Sequence, residues 1–304
     1  MTSGRSGSIR SRQDQFSFKE RLRRMSFVLS RLRLGVVAGT VVLLISLTAI
    51  LAPVIMPHDP FGGDIIDRLQ PPAWDPRGST EHLLGTDGLG RDVLSRLIYA
   101  SRISLGVGLV ASVVSGLVGV LLGLASGYLG GAVDVAVSMM INIMLTFPFV
   151  LLALAVIAVL GGGIANLVLV LALSGWPVFA RVVRSQVIHI REMEYVQASR
   201  VVGASDLRIV FRHIVPNLLN SLIVLTSTQV ARMIISEAFL SFLGLGIMPP
   251  IPTWGNMLGE ARNYMYDKWW LPTFPGIAIF ITTLAINLLG DALRDYLDPH
   301  SRSY

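Results

Sequence analysis

The sequence contains no cysteine, only two lysines and few charged residues of either sign. Without cysteine, the chain cannot form a disulfide, a thiolate nucleophile or a cysteine-ligated zinc site. Charged residues make up 14% of its 304 residues, whereas soluble domains carry about 25%. The mean hydropathy is +0.65, and 53% of the residues are hydrophobic. This composition indicates a membrane protein rather than a water-soluble globule.

The chain also lacks the motifs of an ATPase or a metalloenzyme. Neither Lys19 nor Lys268 lies in a Gly-x-x-x-x-Gly-Lys-[Ser/Thr] sequence, so the chain has no P-loop. It has no His-Glu-x-x-His sequence, and its five histidines are scattered, so the sequence predicts no metal site. The glycine-rich residues 85–90 predict a turn before a helix. Uphill transport would therefore draw its energy from a gradient or from a partner protein.

Six apolar runs are present, and a helix needs about 20 such residues to cross about 30 Å of hydrocarbon. They cover residues 34–56, 103–125, 135–160, 164–180, 218–243 and 274–289. Pro148 and Pro177 predict bends in the third and fourth runs. The sequence therefore predicts an all-α membrane protein with six transmembrane helices.

The basic residues orient these helices. Nine lie in residues 1–33, six in 181–216 and two after the sixth run, at Arg294 and Arg302. The positive-inside rule assigns these parts and both termini to the cytoplasm, and residues 57–100 and 244–273 to the outer side. The net charge of +6 is thus an orientation signal rather than a nucleic-acid-binding feature.

These assignments divide the chain into five parts. They are a cytoplasmic basic tail (1–33), a first transmembrane helix (34–56), a periplasmic segment (57–100), a five-helix core (101–295) and a cytoplasmic C-terminal tail (296–304). Residues 1–15 are rich in Ser, Gly and Arg, which predicts disorder. Residues 16–33 either lie on the inner leaflet or form a solvated tail.

Residues 186–217 are too polar to span a membrane and too patterned for a plain connector. A helix over about 192–202 is predicted to stop at Gly203, and Ser205 or Asp206 can cap a second helix. Pro216 then opens the fifth span, where its missing N–H costs nothing. The segment is either a docking surface for another protein or a loop that covers the inner ends of the bundle.

This segment resembles the EAA loop of ABC-transporter permease subunits, which reads Glu-Ala-Ala, three residues, Gly, nine residues and Ile-x-Leu-Pro. Gln197-Ala198-Ser199, Gly203 and the run ending at Pro216 occupy those positions. Gln197 replaces the family's glutamate, and Glu194, one helical turn earlier, is expected to supply the charge. Residues 84–96, 237–246, 254–258 and 287–299 resemble the C-type subunit of the dipeptide/oligopeptide/nickel permease group.

The resemblance implies the type I ABC importer (MetI-like) permease fold in the bacterial inner membrane, surrounded by lipid. It also implies a B-type permease partner, two cytoplasmic ATPases that hold ATP and magnesium, and an extracytoplasmic binding protein. The chain itself would be no enzyme and bind no cofactor, metal or nucleic acid. Peptides are the expected substrate, with nickel chelates, glutathione and opines open. The residues expected to couple it to an ATPase are Glu194, Tyr195, Gln197, Ala198, Ser199, Gly203 and Pro216.

Charged residues inside a span are costly and therefore mark functional candidates. Arg232 lies in the middle of the fifth run and either lines the translocation path or pairs with an acid of the partner permease. Asn142 is a second candidate for the path. Glu237 lies about 140° around the helix from Arg232 and belongs to the family's shared pattern, so a structural role is expected for it.

Three tryptophans lie in the second outer segment. Trp254, Trp269 and Trp270 either dock the binding protein or anchor the chain at the membrane interface, and anchoring is expected for the last two. Two other classes of protein would need different sequence features. A secondary transporter or channel would carry its own intramembrane acids, and a membrane enzyme would need clustered polar groups near one leaflet. An ABC importer permease is the prediction, with an ion-driven transporter as the alternative.

Overall fold

A computed structural model describes residues 18–297 of the chain, and their side chains from residue 33 onward. The predicted disorder of residues 1–15 and most of the predicted C-terminal tail lie outside the described residues. Within them the fold is helical, and its only β pairing is an isolated bridge between Thr86 and Asp92. The helices are α1 (Phe18–Ile55), α2 (Val93–Leu129), α3 (Gly131–Thr146), α4 (Phe149–Leu160), α5 (Ile164–Arg191), α6 (Glu194–Val201), α7 (Asp206–Ile209), α8 (Val215–Phe242), α9 (Trp254–Ala261) and α10 (Trp270–Leu297).

Five stretches of helix in the described chain are long and apolar enough to cross a membrane. They are residues 33–55 of α1, then α2, α5, the continuous stretch from α7 through α8, and α10. The pair α3 and α4 supplies a sixth if it counts as one broken span. The helices extend beyond the apolar runs because helical hydrogen bonding continues into their polar ends. Helix α5, for example, runs to Arg191 rather than ending near residue 180.

The two prolines expected to bend helices behave differently. Helices α3 and α4 meet at Pro148 with a bend of 92°. The residue before a proline is pushed out of the α region, and Phe147 is extended, with φ −76° and ψ 125°. Pro177 instead lies inside α5, which continues past it. The third predicted span is therefore two helices joined at a sharp corner.

Glycines let α2 approach α5 closely. Gly119, Gly123 and Gly127 recur every four residues of α2 and are buried, which places them on one face of the helix. A Cβ atom at Gly123 would lie 2.7 Å from the Ala180 carbonyl oxygen and 2.8 Å from the Val183 Cβ. Small residues at such spacing allow helix backbones to pack tightly inside a membrane.

We expect Gly123→Ala to destabilise the protein and Gly106→Ala, in the same helix, to leave it unchanged or slightly more stable. A Cβ at Gly106 would meet nothing within 4 Å, so this change gains only helix propensity, about 1 kcal/mol or less. At Gly123 the added methyl meets backbone and must push α5 away, at about 1–3 kcal/mol. Thermal unfolding of both purified variants is the measurement, and equal midpoints would contradict the packing role.

Residues 56–92 and α9 cover the end of the bundle where α2 begins. Trp254 and Trp270 are 2% and 3% exposed there, and both belong to one hydrophobic cluster. The indole N–H of Trp254 donates to the Leu97 carbonyl at 3.2 Å. The expectation of an interface anchor is therefore wrong for Trp270, because residues 56–92 and α9 cover it, whereas Trp269 is half exposed. Helices α6 and α7 lie at the opposite end of α2.

Candidate functional site

Helix α6 packs against the bundle, and one of its apolar side chains is buried there. Val196 is buried, in a cluster with Val187 of α5, Ile209 of α7 and Leu218 of α8. The helix begins at Glu194, two residues later than predicted. Glu192 does not belong to α6 because it is the C-cap residue of α5, where its N–H donates to the His189 and Ile190 carbonyls. The predicted loop over 186–217 thus shrinks to a short helical segment between two long helices.

Gly203 ends α6 in the way that the sequence predicts. Its φ is +86°, in the left-handed region that favours glycine. The Gly203 N–H donates to the Arg200 carbonyl at 3.0 Å, and the Ala204 N–H donates to the Ser199 carbonyl at 3.1 Å. This pair of bonds is the Schellman arrangement, which satisfies carbonyls at the end of a helix. Gly203 therefore sets the angle at which the chain leaves α6 for α7.

The second half of the predicted motif differs from expectation. Ser205 precedes α7, but its side chain makes no capping hydrogen bond. Helix α7 has only four residues and passes through a π turn, Val210–Ile214, directly into α8. Pro216 is the second residue of α8 and is exposed. The second short helix is thus the first part of a long one, because α7 continues into α8 without a break.

Three of the predicted coupling residues join α6 to its neighbours. The Gln197 amide donates to the Arg191 carbonyl at 2.9 Å. The Ser199 hydroxyl lies 3.4 Å from Nε2 of His213, and the Tyr195 hydroxyl accepts from the Asn217 amide at 3.2 Å. Tyr195 thereby reaches the start of α8, Ser199 reaches the π turn before it, and Gln197 reaches the end of α5. The remaining two, Glu194 and Ala198, are exposed.

A second set of polar contacts ties the segment to α2. The Tyr128 hydroxyl donates to the Asp206 carboxylate at 2.6 Å. The Arg200 guanidinium lies 5.9 Å from the centre of the Tyr128 ring, within cation–π range. Hydrogen bonding to Tyr128 raises the pKa of Arg200 above its ordinary value. The segment therefore touches three of the long helices.

Four apolar side chains from the end of α6 to the π turn are exposed, although polar residues flank them in the sequence. Val201, Val202, Leu207 and Phe211 are 87%, 88%, 71% and 68% exposed. We call these four residues the turn surface. Val201 and Val202 directly precede Gly203, and Leu207 and Phe211 come after it. The sequence does not predict their exposure, because it depends on how α6 and α7 are packed. Exposed apolar residues of this kind mark a contact with another protein or with a membrane.

Arg232 and Glu237, the two charged candidates within the fifth run, differ in burial. Arg232 is exposed on α8, whereas Glu237 is fully buried and accepts hydrogen bonds from Ser104 of α2 at 3.1 Å and Ser241 at 2.7 Å. Asn142 is also exposed, and its side-chain oxygen lies 3.4 Å from an Arg181 nitrogen. No hydrogen bond or ion pair joins Asn142 to Arg232 in the part of the chain described.

Two clusters at the other end of the bundle were not foreseen. Arg91 and Arg96 share the carboxylates of Asp87 and Glu260, with Arg91 bonded at 2.7 Å and 2.8 Å to them. The expectation of no histidine cluster is also wrong: His58 and His82 meet beside Asp92. Each cluster depends on one residue that is distant in sequence, Glu260 in the first and His58 in the second, so no local pattern predicts either cluster.

Comparison with solved structures defines the class of protein. A chain of the MetNI methionine ABC transporter in inward-facing conformations superposes with a TM-score of 0.55 at 19% identity, covering 67% of this chain and 96% of that one. A chain of an amino acid ABC transporter solved with histidines gives 0.53 at 15% identity, covering 66% and 94%. The fold is therefore that of the membrane-spanning subunits of ABC importers.

The sequence comparisons narrow the class to a family. Residues 119–303 match the model of the binding-protein-dependent transport system inner membrane component, and the chain belongs to that family. Residues 21–72 match the N-terminal transmembrane domain of oligopeptide transport permease C.

Named relatives align over most of the chain. The dipeptide transport system permease protein DppC of Escherichia coli is 49% identical, with 87% of this chain and 89% of that protein covered. The di/tripeptide permease DppC of Pseudomonas aeruginosa is 42% identical over 84% and 85%. The glutathione permease GsiD of Pectobacterium atrosepticum is 41% identical over 90% and 89%.

Proposed function

We propose that this chain forms half of the transmembrane pathway of an ATP-driven importer for dipeptides or oligopeptides. The names of the relatives at 41–49% identity support peptides or glutathione as the substrate class. The observation that carries the proposal is the turn surface, because its apolar side chains are exposed at the end of the bundle that the basic residues of 181–216 assign to the cytoplasm. Two partner ATPases bind the ATP and magnesium, and a B-type permease forms the other half of the pathway.

In the proposed topology, the end with α6 and α7 faces the cytoplasm and residues 56–92 with α9 face the periplasm. The basic residues of 181–216 support this orientation. The two ends are opposite ends of α2, so the chain presents one surface to an ATPase and another to a binding protein. Both termini are then cytoplasmic.

The proposed mechanism uses α6 as a coupling helix. ATP binding closes the ATPase dimer and pushes on α6 through the turn surface. Because α6 is held to α5, α2 and α8 by Val196, Gln197 and Tyr195, it moves these helices rather than bending alone. The two permease halves then rock, and the solute site opens to one side at a time.

Co-purification tests the proposal and separates it from an ion-driven transporter. We expect the full chain, extracted from its native membranes, to bring with it a second permease and an ATPase that contains a P-loop. Leu207→Asp, which places a charge on the turn surface, should release the ATPase. Ile66→Asp, at an even more exposed apolar site at the other end, should not. Uptake that persists without any ATPase and follows an ion gradient would refute the proposal.

We further propose that Arg232 lines the translocation path. Ile235 and Phe239 are exposed on the same face of α8 as Arg232, at steps of three and seven residues. A lone cation on such a face would attract the carboxylate of a peptide. We expect Arg232→Gln to reduce uptake of free peptides more than that of peptides with an amidated C-terminus. Unchanged assembly with unchanged preference would reject this role.

A further inference from the structure

His58, His82 and Asp92 are brought together from three separate parts of the chain. His58 lies just after α1, His82 lies in the loop before α2, and Asp92 is the N-cap residue of α2. Each offers one ligand atom, and the three atoms lie within 4.8 Å of one another. Two imidazoles and a carboxylate are a common ligand set for zinc with three protein ligands.

The imidazoles face the same carboxylate through their Nδ1 atoms. Nδ1 of His82 lies 3.1 Å from one oxygen of Asp92, and Nδ1 of His58 lies 3.8 Å from the other. Metal–ligand bonds of about 2.0–2.2 Å in tetrahedral geometry place ligand atoms roughly 3.3–3.6 Å apart. The site is therefore close to the required dimensions, and side-chain rotations of His58 would complete it.

The His58 Nδ1 atom has no hydrogen-bond partner in the described structure. It is buried, and an unsatisfied buried polar atom is costly. The rest of the side chain is 33% exposed, which leaves a route by which an ion can enter. A metal ion would satisfy this nitrogen and leave a fourth position open to solvent.

The surroundings hold the ligands in place. Asp92 accepts hydrogen bonds at 2.7 Å from both the backbone N–H and the hydroxyl of Ser95. The Ser95 hydroxyl in turn accepts from the backbone N–H of His58 at 2.9 Å. His82 and Asp92 are 7% and 2% exposed. Such outer contacts orient metal ligands and strengthen binding.

We propose that His58, His82 and Asp92 bind one divalent transition-metal ion of the zinc class. Two imidazole nitrogens favour such ions over magnesium and calcium, which prefer oxygen ligands. The bound ion would link the end of α1 to the start of α2. It is independent of the proposed coupling site, which lies at the opposite end of α2.

The test is metal binding by the full chain, purified in lipid nanodiscs through a tag that contains no histidine. We expect the wild type to bind one zinc ion per chain in equilibrium dialysis with elemental analysis. His58→Gln and Asp92→Asn should each weaken binding by more than about tenfold. Asparagine is as good an N-cap as aspartate, so the second change spares the start of α2. His189→Gln, at an exposed histidine of α5, is the matched control.

Thermal unfolding tests whether zinc binds to the folded protein at this site. If His58, His82 and Asp92 had only a structural role, zinc would not change the unfolding midpoint. Zinc should raise the unfolding midpoint of the wild type and of His189→Gln, because a ligand of the folded state stabilises it. Zinc should leave the unfolding midpoint of His58→Gln unchanged. Without metal, the midpoints of the wild type and the two variants should agree. Absence of saturable zinc binding in the wild type would overturn the proposal, as would equal affinity in all variants. Loss of ATPase association would bear only on the proposed function.

Discussion

Gly203→Val is expected to lower solute uptake at least about tenfold while the protein still inserts and assembles. Valine at a φ of +86° is strained by more than the roughly 1–2 kcal/mol that a left-handed residue costs, because its branched Cβ crowds the backbone. The chain relieves this strain by moving to negative φ. That movement breaks the two Schellman bonds and changes the angle between α6 and α7, through which the proposed coupling passes.

Gly203→Asn is the matched control for this experiment. Asparagine tolerates the left-handed region better than other non-glycine residues, and a Cβ at Gly203 meets nothing within 4 Å. Steric overlap therefore cannot explain a difference between the two variants. We expect Gly203→Asn to keep most of the uptake, measured with reconstituted transporter and its binding protein. Normal uptake by Gly203→Val would contradict the coupling role of α6.

The features of the site that could be predicted from the sequence are those that depend on residues close together in the chain. A glycine after a short polar helix predicts a left-handed stop, and Gly203 confirms it. The corner at Pro148 follows from the restriction that proline places on Phe147. The resemblance to the EAA loop predicted the family of the protein, and the comparisons confirm that family. The assignment of the coupling residues stays a prediction.

The features that sequence could not predict depend on contacts between distant residues. His58 and Asp92 are separated by 34 positions, and only the folding of the loop before α2 brings them together. Trp270 resembles an interface anchor in the sequence, yet it is buried because residues 56–92 cover it. The continuity of α7 with α8 depends on a π turn, for which the local sequence gives no signal.

Arg96→Ala is expected to destabilise the protein by about 3–5 kcal/mol, the usual cost of breaking a buried ion pair from one side. Arg96 is 1% exposed. It binds the Asp87 carboxylate and donates to both oxygens of Glu260, at 2.6 Å and 3.1 Å. Removing it leaves two acids with Arg91 as their remaining cation. Thermal and denaturant unfolding in detergent would measure the loss.

Arg77→Ala is the control, since Arg77 is 78% exposed and its pair with Asp75 is a surface contact whose loss should not be measurable. The double change Arg96→Ala with Glu260→Gln sharpens the argument. It removes one charge of each sign, so that Arg91 and Asp87 still balance each other at 2.7 Å. We therefore expect the double variant to be more stable than Arg96→Ala alone, because charge imbalance, rather than lost contacts, dominates the cost. Additive losses would show instead that the cluster acts by packing, and that α9 is held to α2 by shape rather than by charge.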